Sequence, residues 1–223
     1  MLTLYHCEST RSFRPLWVLE EMALPYELKV LPFPPRALDR SYLDINPLGT
    51  APAFFDDDMR MTESVAICQY LVTRYGPTAL DVSSAEPEYG DFLNWLHFGE
   101  ATLTFPQTLV LRYGRFEPEE RRLPQVVTDY TRWFLARLRA VENVIACRPF
   151  ISGDRFTVAD VSVGYALMLA EKIGIAPDFP EVVTEYWRRL QTRPAFQRAI
   201  ELEWAAGVEQ GVETTAFPRP GAS

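Results

Sequence analysis

The sequence predicts an α+β/α fold, a small mixed domain of βαβ-ββα order followed by an all-helical bundle. Three observations predict it. Apolar residues recur with a period of two only in the first third of the chain. The stretch Gly76–Pro87 is rich in proline, serine and alanine and carries no apolar period. Beyond it, apolar residues recur at three and four residues, and no comparable strand signal returns. At 223 residues and 48% hydrophobic, the chain is long enough for two small cores. The expected division is therefore a first domain over residues 1–76, a linker over 77–87 and a helical domain over 88–223.

Each element follows in order. "MLTLYHC" alternates apolar and polar residues over the length of a strand, and Ser12 to Leu24 then carries Leu16, Leu19 and Ala23 at helical steps. Pro25 stops that helix, and "YELKVL" resumes the period of two until "PFPP" breaks it. A short helix or loop covers "LDRSYLDINPLG". "APAFF" and "MRMT" flank "DDD", a good turn between paired strands. From Thr62, Val65, Cys68, Leu71 and Tyr75 mark a helix that Gly76 and Pro77 end. In the second domain, Val127, Tyr130, Phe134, Leu138, Val141 and Ile145 form one long stripe, broken after Cys147 by Pro149. Thr157 and Asp160 spell a capping box, with Phe156 and Val161 as its apolar staple. "VADVSVGYALMLA" behind it is apolar nearly all round, which predicts the buried centre of the bundle.

A formal net charge of -8 repels polyanions, so nucleic acid is not an expected partner. No apolar run approaches a membrane span, and the first residues lack the basic flank of a signal peptide, so no membrane partner and a cytoplasmic location are expected. Cys7, Cys68 and Cys147 are odd in number, far apart and without metal-ligand spacing, which predicts neither a disulfide framework nor a metal site. Cys68 and Cys147 fall on apolar stripes and are expected in the core. His6 and His97 are expected to be structural.

Chemistry concentrates at three places. The turn "CESTR" ends the first strand where the first helix N-terminus aims backbone N–H groups and a positive dipole end, and a hydroxyl there favours a bound thiolate. A free thiol titrates near ~8.5, and each unit of lowering is roughly 1.4 kcal/mol. Second, "GTAPAF" puts Ala51-Pro52 at the entry to a strand; a cis bond there turns the Ala51 N–H and C=O outward for an extended peptide. Third, "TES" begins a helix, so that Ser64 and the unpaired amides can hold a carboxylate while Glu63 takes an ammonium. Together these describe a pocket for a zwitterionic, thiol-bearing peptide.

With "LYH...STRSFRPLWVLEE", "LPYEL", "NPLGTAPAF", "ESVAICQYL" and "ISGDRFTVADV" in this order, the chain resembles the soluble glutathione S-transferases over almost its full length, the bacterial serine-type and theta-like members above all. The resemblance implies a thioredoxin-like first domain, glutathione as co-substrate, no metal, and transfer of its sulfur to a small hydrophobic electrophile. It also implies a homodimer. Carried over by position, it puts Thr10 at the sulfur, with Ser9 and then Ser12 as alternatives. Thr50, Ala51 and Pro52 would meet the peptide, and Glu63 and Ser64 its γ-glutamyl end. It further implies Phe98, Thr102, Phe105, Leu109 and Tyr113 as pocket lining. Departures accompany it: Cys7 and Glu8 stand where relatives carry a small residue and proline or glycine, and Thr50 stands where many carry a basic residue. Two other readings follow from these departures, a Cys7-dependent thiol transferase and a non-catalytic binding or regulatory protein of the same fold.

Overall fold

The computed structural model describes residues 1–218. The first strand, β1 (Leu2–His6), leads into helix α1 (Phe13–Met22) and strand β2 (Tyr26–Val30). Two short helices, α2 (Pro35–Leu38) and α3 (Tyr42–Ile45), precede strands β3 (Ala53–Asp56) and β4 (Met59–Met61) and helix α4 (Ser64–Arg74). The four strands form one sheet in the order β2-β1-β3-β4. β1 runs parallel to β2 from Leu2↔Tyr26 to His6↔Val30, and antiparallel to β3 from Leu2↔Asp56 to Tyr5↔Ala53. This is the expected thioredoxin-like βαβ-ββα order. Along β1 the period of two buries Leu2, Leu4 and His6 and leaves Thr3 and Tyr5 half-buried. An imidazole thus takes an inward position that an aliphatic side chain would ordinarily hold.

Helix α1 is buried from Phe13 through Leu19, because it is covered on two sides, by α4 and by a helix from the far end of the chain. That helix, α10 (Pro194–Glu209), sets Phe196 edge-on to Phe13 at 5.5 Å and to Trp17 at 4.9 Å. Each such aromatic, fully buried, contributes about 2 kcal/mol through the water it sheds. Arg193 grips Glu21 with two hydrogen bonds, and Arg198 reaches Glu20. Past α10, Gln210 accepts from the Val30 N–H and donates to the Leu28 C=O, so that its amide occupies the outer edge of β2 and blunts an otherwise open ladder.

Packing therefore groups Met1–Thr78 with residues 191–218, and Ala79–Leu190 as a second compact unit. The first segment of the sheet-bearing unit ends at Thr78, and the second unit begins at Ala79. The return of α10 to the sheet-bearing unit was not foreseen, since the chain leaves that unit and comes back more than 100 residues later.

The second unit is helical: α5 (Tyr89–Phe98), α6 (Phe105–Leu111), α7 (Pro124–Ile145), α8 (Val158–Lys172) and α9 (Glu181–Gln191). Between α5 and α6 the helix widens into π turns over Gly99–Thr104. Gly99 allows it to touch α8, where an added Cβ would lie 2.4 Å from the Ser162 Oγ. Ser162 in turn donates to the Leu96 C=O at 2.7 Å. α8 is buried without a break from Val158 to Ala170, as its sequence predicts. At its start Thr157 accepts from the Ala159 N–H, and Asp160 accepts from the Thr157 N–H at 2.9 Å. Asp160 also takes the Ile151 N–H and the Tyr186 hydroxyl, yet full burial still raises its pKa above the ordinary carboxylate value. On α7, Phe134, Leu138, Val141 and Ile145 are buried while Val127 and Tyr130 are half-buried. Cys147 corrects one expectation: it is exposed. α7 ends at Ile145, so the stripe stops two residues short of the cysteine and Pro149 carries the chain away.

Candidate functional site

The turn between β1 and α1 is built from hydroxyls that do not cap the helix. Ser12 stands at the N-cap of α1, but its side chain makes no cap bond. Instead its Oγ, fully buried, accepts from the Cys7 N–H at 3.1 Å and lies 2.8 Å from His6 Nδ1. Thr10 Oγ1 lies 2.9 Å from Ser12 Oγ and also 2.9 Å from the Cys7 C=O. Ser9 has φ of +60°, a left-handed conformation that costs a non-glycine residue about 1 kcal/mol or more. Glu203 of α10 holds it there, accepting from its N–H at 2.9 Å and its hydroxyl at 3.3 Å.

Burial separates the three candidate hydroxyls. Ser9 and Ser12 are 4% and 0% exposed and are committed to internal partners, whereas Thr10 is partly open to solvent. Cys7 is also closed off. It packs with Leu31, Tyr42 and Ala53, and burial, with Glu8 as a second cause, pushes its thiol up to about 12. A thiol that stays protonated and inaccessible is no nucleophile, so the Cys7-dependent reading is not supported.

The Ala51-Pro52 bond is cis, the form allowed for in the sequence reading. Ala51, half-buried, lies beyond the last sheet pair, Tyr5↔Ala53. The loop before it is held by Tyr42 Oη and Asn46 Nδ2, which both donate to the Thr50 C=O, at 2.8 and 2.7 Å. The Thr50 side chain itself is exposed.

Glu63, exposed and extended, is the N-cap of α4, and Ser64 is its first residue. Ser64 is 4% exposed, and its Oγ accepts from the buried Arg14 Nη1 at 3.1 Å. A hydroxyl that accepts from a guanidinium turns its own hydrogen away, toward an anion. The structure thus brings Thr10, Ala51, Pro52, Glu63 and Ser64 into the same unit as Arg14 and Glu203.

The expected lining residues lie in the other unit. Phe98 and Thr102 share an open groove with Leu93, Asn94, His97 and Ala101, and Phe98 packs on Trp95 at 4.8 Å. Phe105 is 56% exposed; Leu109 and Tyr113 are half-buried, with the Arg112 guanidinium 5.6 Å from the Tyr113 ring centre. Among the described residues no cluster of His, Cys, Asp and Glu could hold a metal, and no helix is long and apolar enough to cross a membrane.

His6 is buried with both ring nitrogens hydrogen-bonded, as expected of a structural histidine; the partnership of Arg14 with Ser64 and that of Glu203 with His6 and Ser9 are not among the expectations from sequence. Glu203 had a signal: it interrupts the stripe Phe196, Ala199, Glu203, Ala206, whose other members are apolar and buried. A carboxylate on a core stripe implies an internal partner.

Residues 1–73 match the family described as "Glutathione S-transferase, N-terminal domain". The chain is 26% identical over 214 residues to glutathione S-transferase 3 of Schizosaccharomyces pombe, covering 90% of this chain and 87% of that one. It is 27% identical to glutathione S-transferase GstB of Escherichia coli over 90% of this chain and 98% of the other. Among solved structures, a glutathione transferase from Methylococcus capsulatus aligns with a TM-score of 0.77 at 27% identity, covering 92% of this chain and all of that one. Another, URE2P6 of Phanerochaete chrysosporium in complex with oxidized glutathione, aligns at 0.79 and 27% identity, over 92% of this chain and 96% of that one.

Proposed function

We propose that this chain, a member of the glutathione S-transferase family, uses Thr10 to ionise the thiol of glutathione and transfers the sulfur to an apolar electrophile. The observation that carries the role of Thr10 is its position. It is the one hydroxyl of the turn that reaches solvent while Ser9 and Ser12 are enclosed. A hydroxyl donating to the sulfur favours the thiolate and lowers its pKa, and the thiolate is the nucleophile.

The rest of the peptide is held by groups that match its charges. The Ser64 O–H and the first amides of α4 receive the γ-glutamyl carboxylate, and the Arg14 guanidinium behind Ser64 adds attraction. Glu63 takes the ammonium. The Ala51 N–H and C=O pair with the cysteinyl backbone as a short added strand. Fixing both ends holds the sulfur at the turn, which turns an encounter into an oriented attack. Phe98, Thr102, Phe105, Leu109 and Tyr113 are proposed to contact the electrophile; Tyr113 alone among them carries an acidic hydroxyl, suited to assist a leaving group. The homodimer and the cytoplasmic location are proposed on the family likeness. The transferase names of the full-length relatives weigh against a non-catalytic role.

Calorimetric titration with glutathione, followed by turnover of an activated aryl halide, tests this reading. Binding is expected, with turnover that Thr10→Val lowers roughly 100-fold. No heat of binding at millimolar glutathione overturns it.

A further inference from the structure

Behind Thr10 lies a buried chain of polar atoms that the binding of glutathione does not require. It runs from Thr10 Oγ1 to Ser12 Oγ at 2.9 Å, to His6 Nδ1 at 2.8 Å, and from His6 Nε2 to Glu203 Oε2 at 3.0 Å. His6, Ser12 and Glu203 are all 0% exposed, and among the described residues the His6 side chain has only these two hydrogen-bond partners. The donors around Glu203 favour one direction for the chain. The Ser9 N–H and the Ser9 hydroxyl both donate to Glu203, and in the Nε2–H tautomer His6 Nε2 is a third donor to the same carboxylate. With its hydrogen on Nε2, a neutral imidazole leaves Nδ1 as an acceptor, so Ser12 must donate to it. Ser12 then has lone pairs left for the Cys7 N–H and for the Thr10 hydroxyl. In this arrangement the Thr10 hydrogen turns to Ser12 and the Ser12 hydrogen to His6, rather than to the Cys7 C=O that lies 2.9 Å from Thr10 Oγ1 and 3.2 Å from Ser12 Oγ.

We propose that this chain is a proton relay and that His6, paired with Glu203, is the internal acceptor of the glutathione thiol proton; the proposal rests on the reading of Thr10 given above. The thiol gives its proton to the Thr10 oxygen, Thr10 passes its own to Ser12, and Ser12 passes its own to His6 Nδ1. One S–H bond breaks and one N–H bond forms, and each hydroxyl keeps one hydrogen. In the product state every donor points the other way: the imidazolium to Ser12, Ser12 to Thr10, and Thr10 to the thiolate. The transfer also converts a carboxylate buried beside a neutral ring into an ion pair, which favours it, since an unpaired buried charge is the costlier state. His6 and Glu203 act through Thr10 and are positioning and proton-holding residues rather than groups that touch glutathione.

The test is made on the full chain, with the ultraviolet absorbance of the bound thiolate read alongside proton release, from titration calorimetry in buffers of differing ionisation enthalpy. The wild type is expected to form more thiolate than it releases protons to the buffer. His6→Gln keeps a side-chain N–H for Glu203 but cannot take a proton, and Ser12→Ala breaks the chain with the His6–Glu203 pair in place. Each is expected to lower the thiolate fraction at neutral pH about tenfold, equivalent to one pKa unit, to release one proton per thiolate formed, and to leave glutathione affinity nearly unchanged. A merely structural role of His6 would not alter the proton count. One proton released per thiolate in the wild type overturns the relay and leaves the role of Thr10 standing, as does a wild-type thiolate fraction in a folded variant. Absence of glutathione binding overturns both.

Discussion

Two helices of this chain begin with the same kinds of residues and use them in opposite ways. At the start of α8, Thr157 and Asp160 turn back on their own backbone and satisfy the first amides of the helix, with Tyr186 and the Ile151 N–H completing the carboxylate. At the start of α1, Ser12 makes no cap bond, and the hydroxyls of Thr10 and Ser12 lead instead to His6 and Glu203. The first arrangement is closed, since each polar atom meets a fixed partner within the fold. The second ends at a hydroxyl that reaches solvent. Polar residues at a helix start stabilise the helix when they bond to it, and become available for chemistry when another element holds them away from it. Here the other element is α10.

The contrast is sharpened first at α8. Asp160→Ala leaves two backbone amides and the Tyr186 hydroxyl without their acceptor, so urea denaturation should show a loss of about 3 kcal/mol. Glutathione affinity should be unchanged; a variant that keeps full stability would erase the distinction. The next effect is at α1. Thr10→Val should lower turnover roughly 100-fold, the scale for losing one donor to a developing anion, with little change in stability. A change in stability instead of turnover would make the turn another cap. Ser64→Ala is expected to be smaller: it would remove the hydrogen bond proposed to the peptide and should weaken glutathione binding about tenfold, with turnover at saturation close to wild type. The smallest effect concerns the cysteines. Cys7 is buried, and that burial pushes its thiol up to about 12, which disfavours the thiolate. Mass spectrometry after alkylation of the folded protein should therefore find Cys147 modified and Cys7 and Cys68 intact, with activity retained. Modification of Cys7 in the folded protein would reopen the case for it.

Much of this was legible in the sequence because it is local. The period of two in "MLTLYHC", the capping box at Thr157, the apolar run of α8 and the extended residue ahead of Pro52 each depend on neighbours within a few positions. Glu63 and Ser64 could be placed for the same reason. What sequence did not disclose is long-range. Glu203 lies 194 residues from Ser9 and 197 from His6, and Arg14 meets Ser64 across 50. Nothing local distinguishes a buried histidine that fills space from one that faces a carboxylate. Cys147 failed for the opposite reason: the stripe was extended two residues beyond the true helix end at Ile145, where helix boundaries are least determined by pattern.

The most direct test of the account is an ultraviolet pH titration of glutathione bound to the wild type and to Thr10→Val. A bound-thiol pKa at least about one unit below the free value of ~8.5 is expected in the wild type, returning toward that value in the variant. Equal values in the two proteins would contradict it.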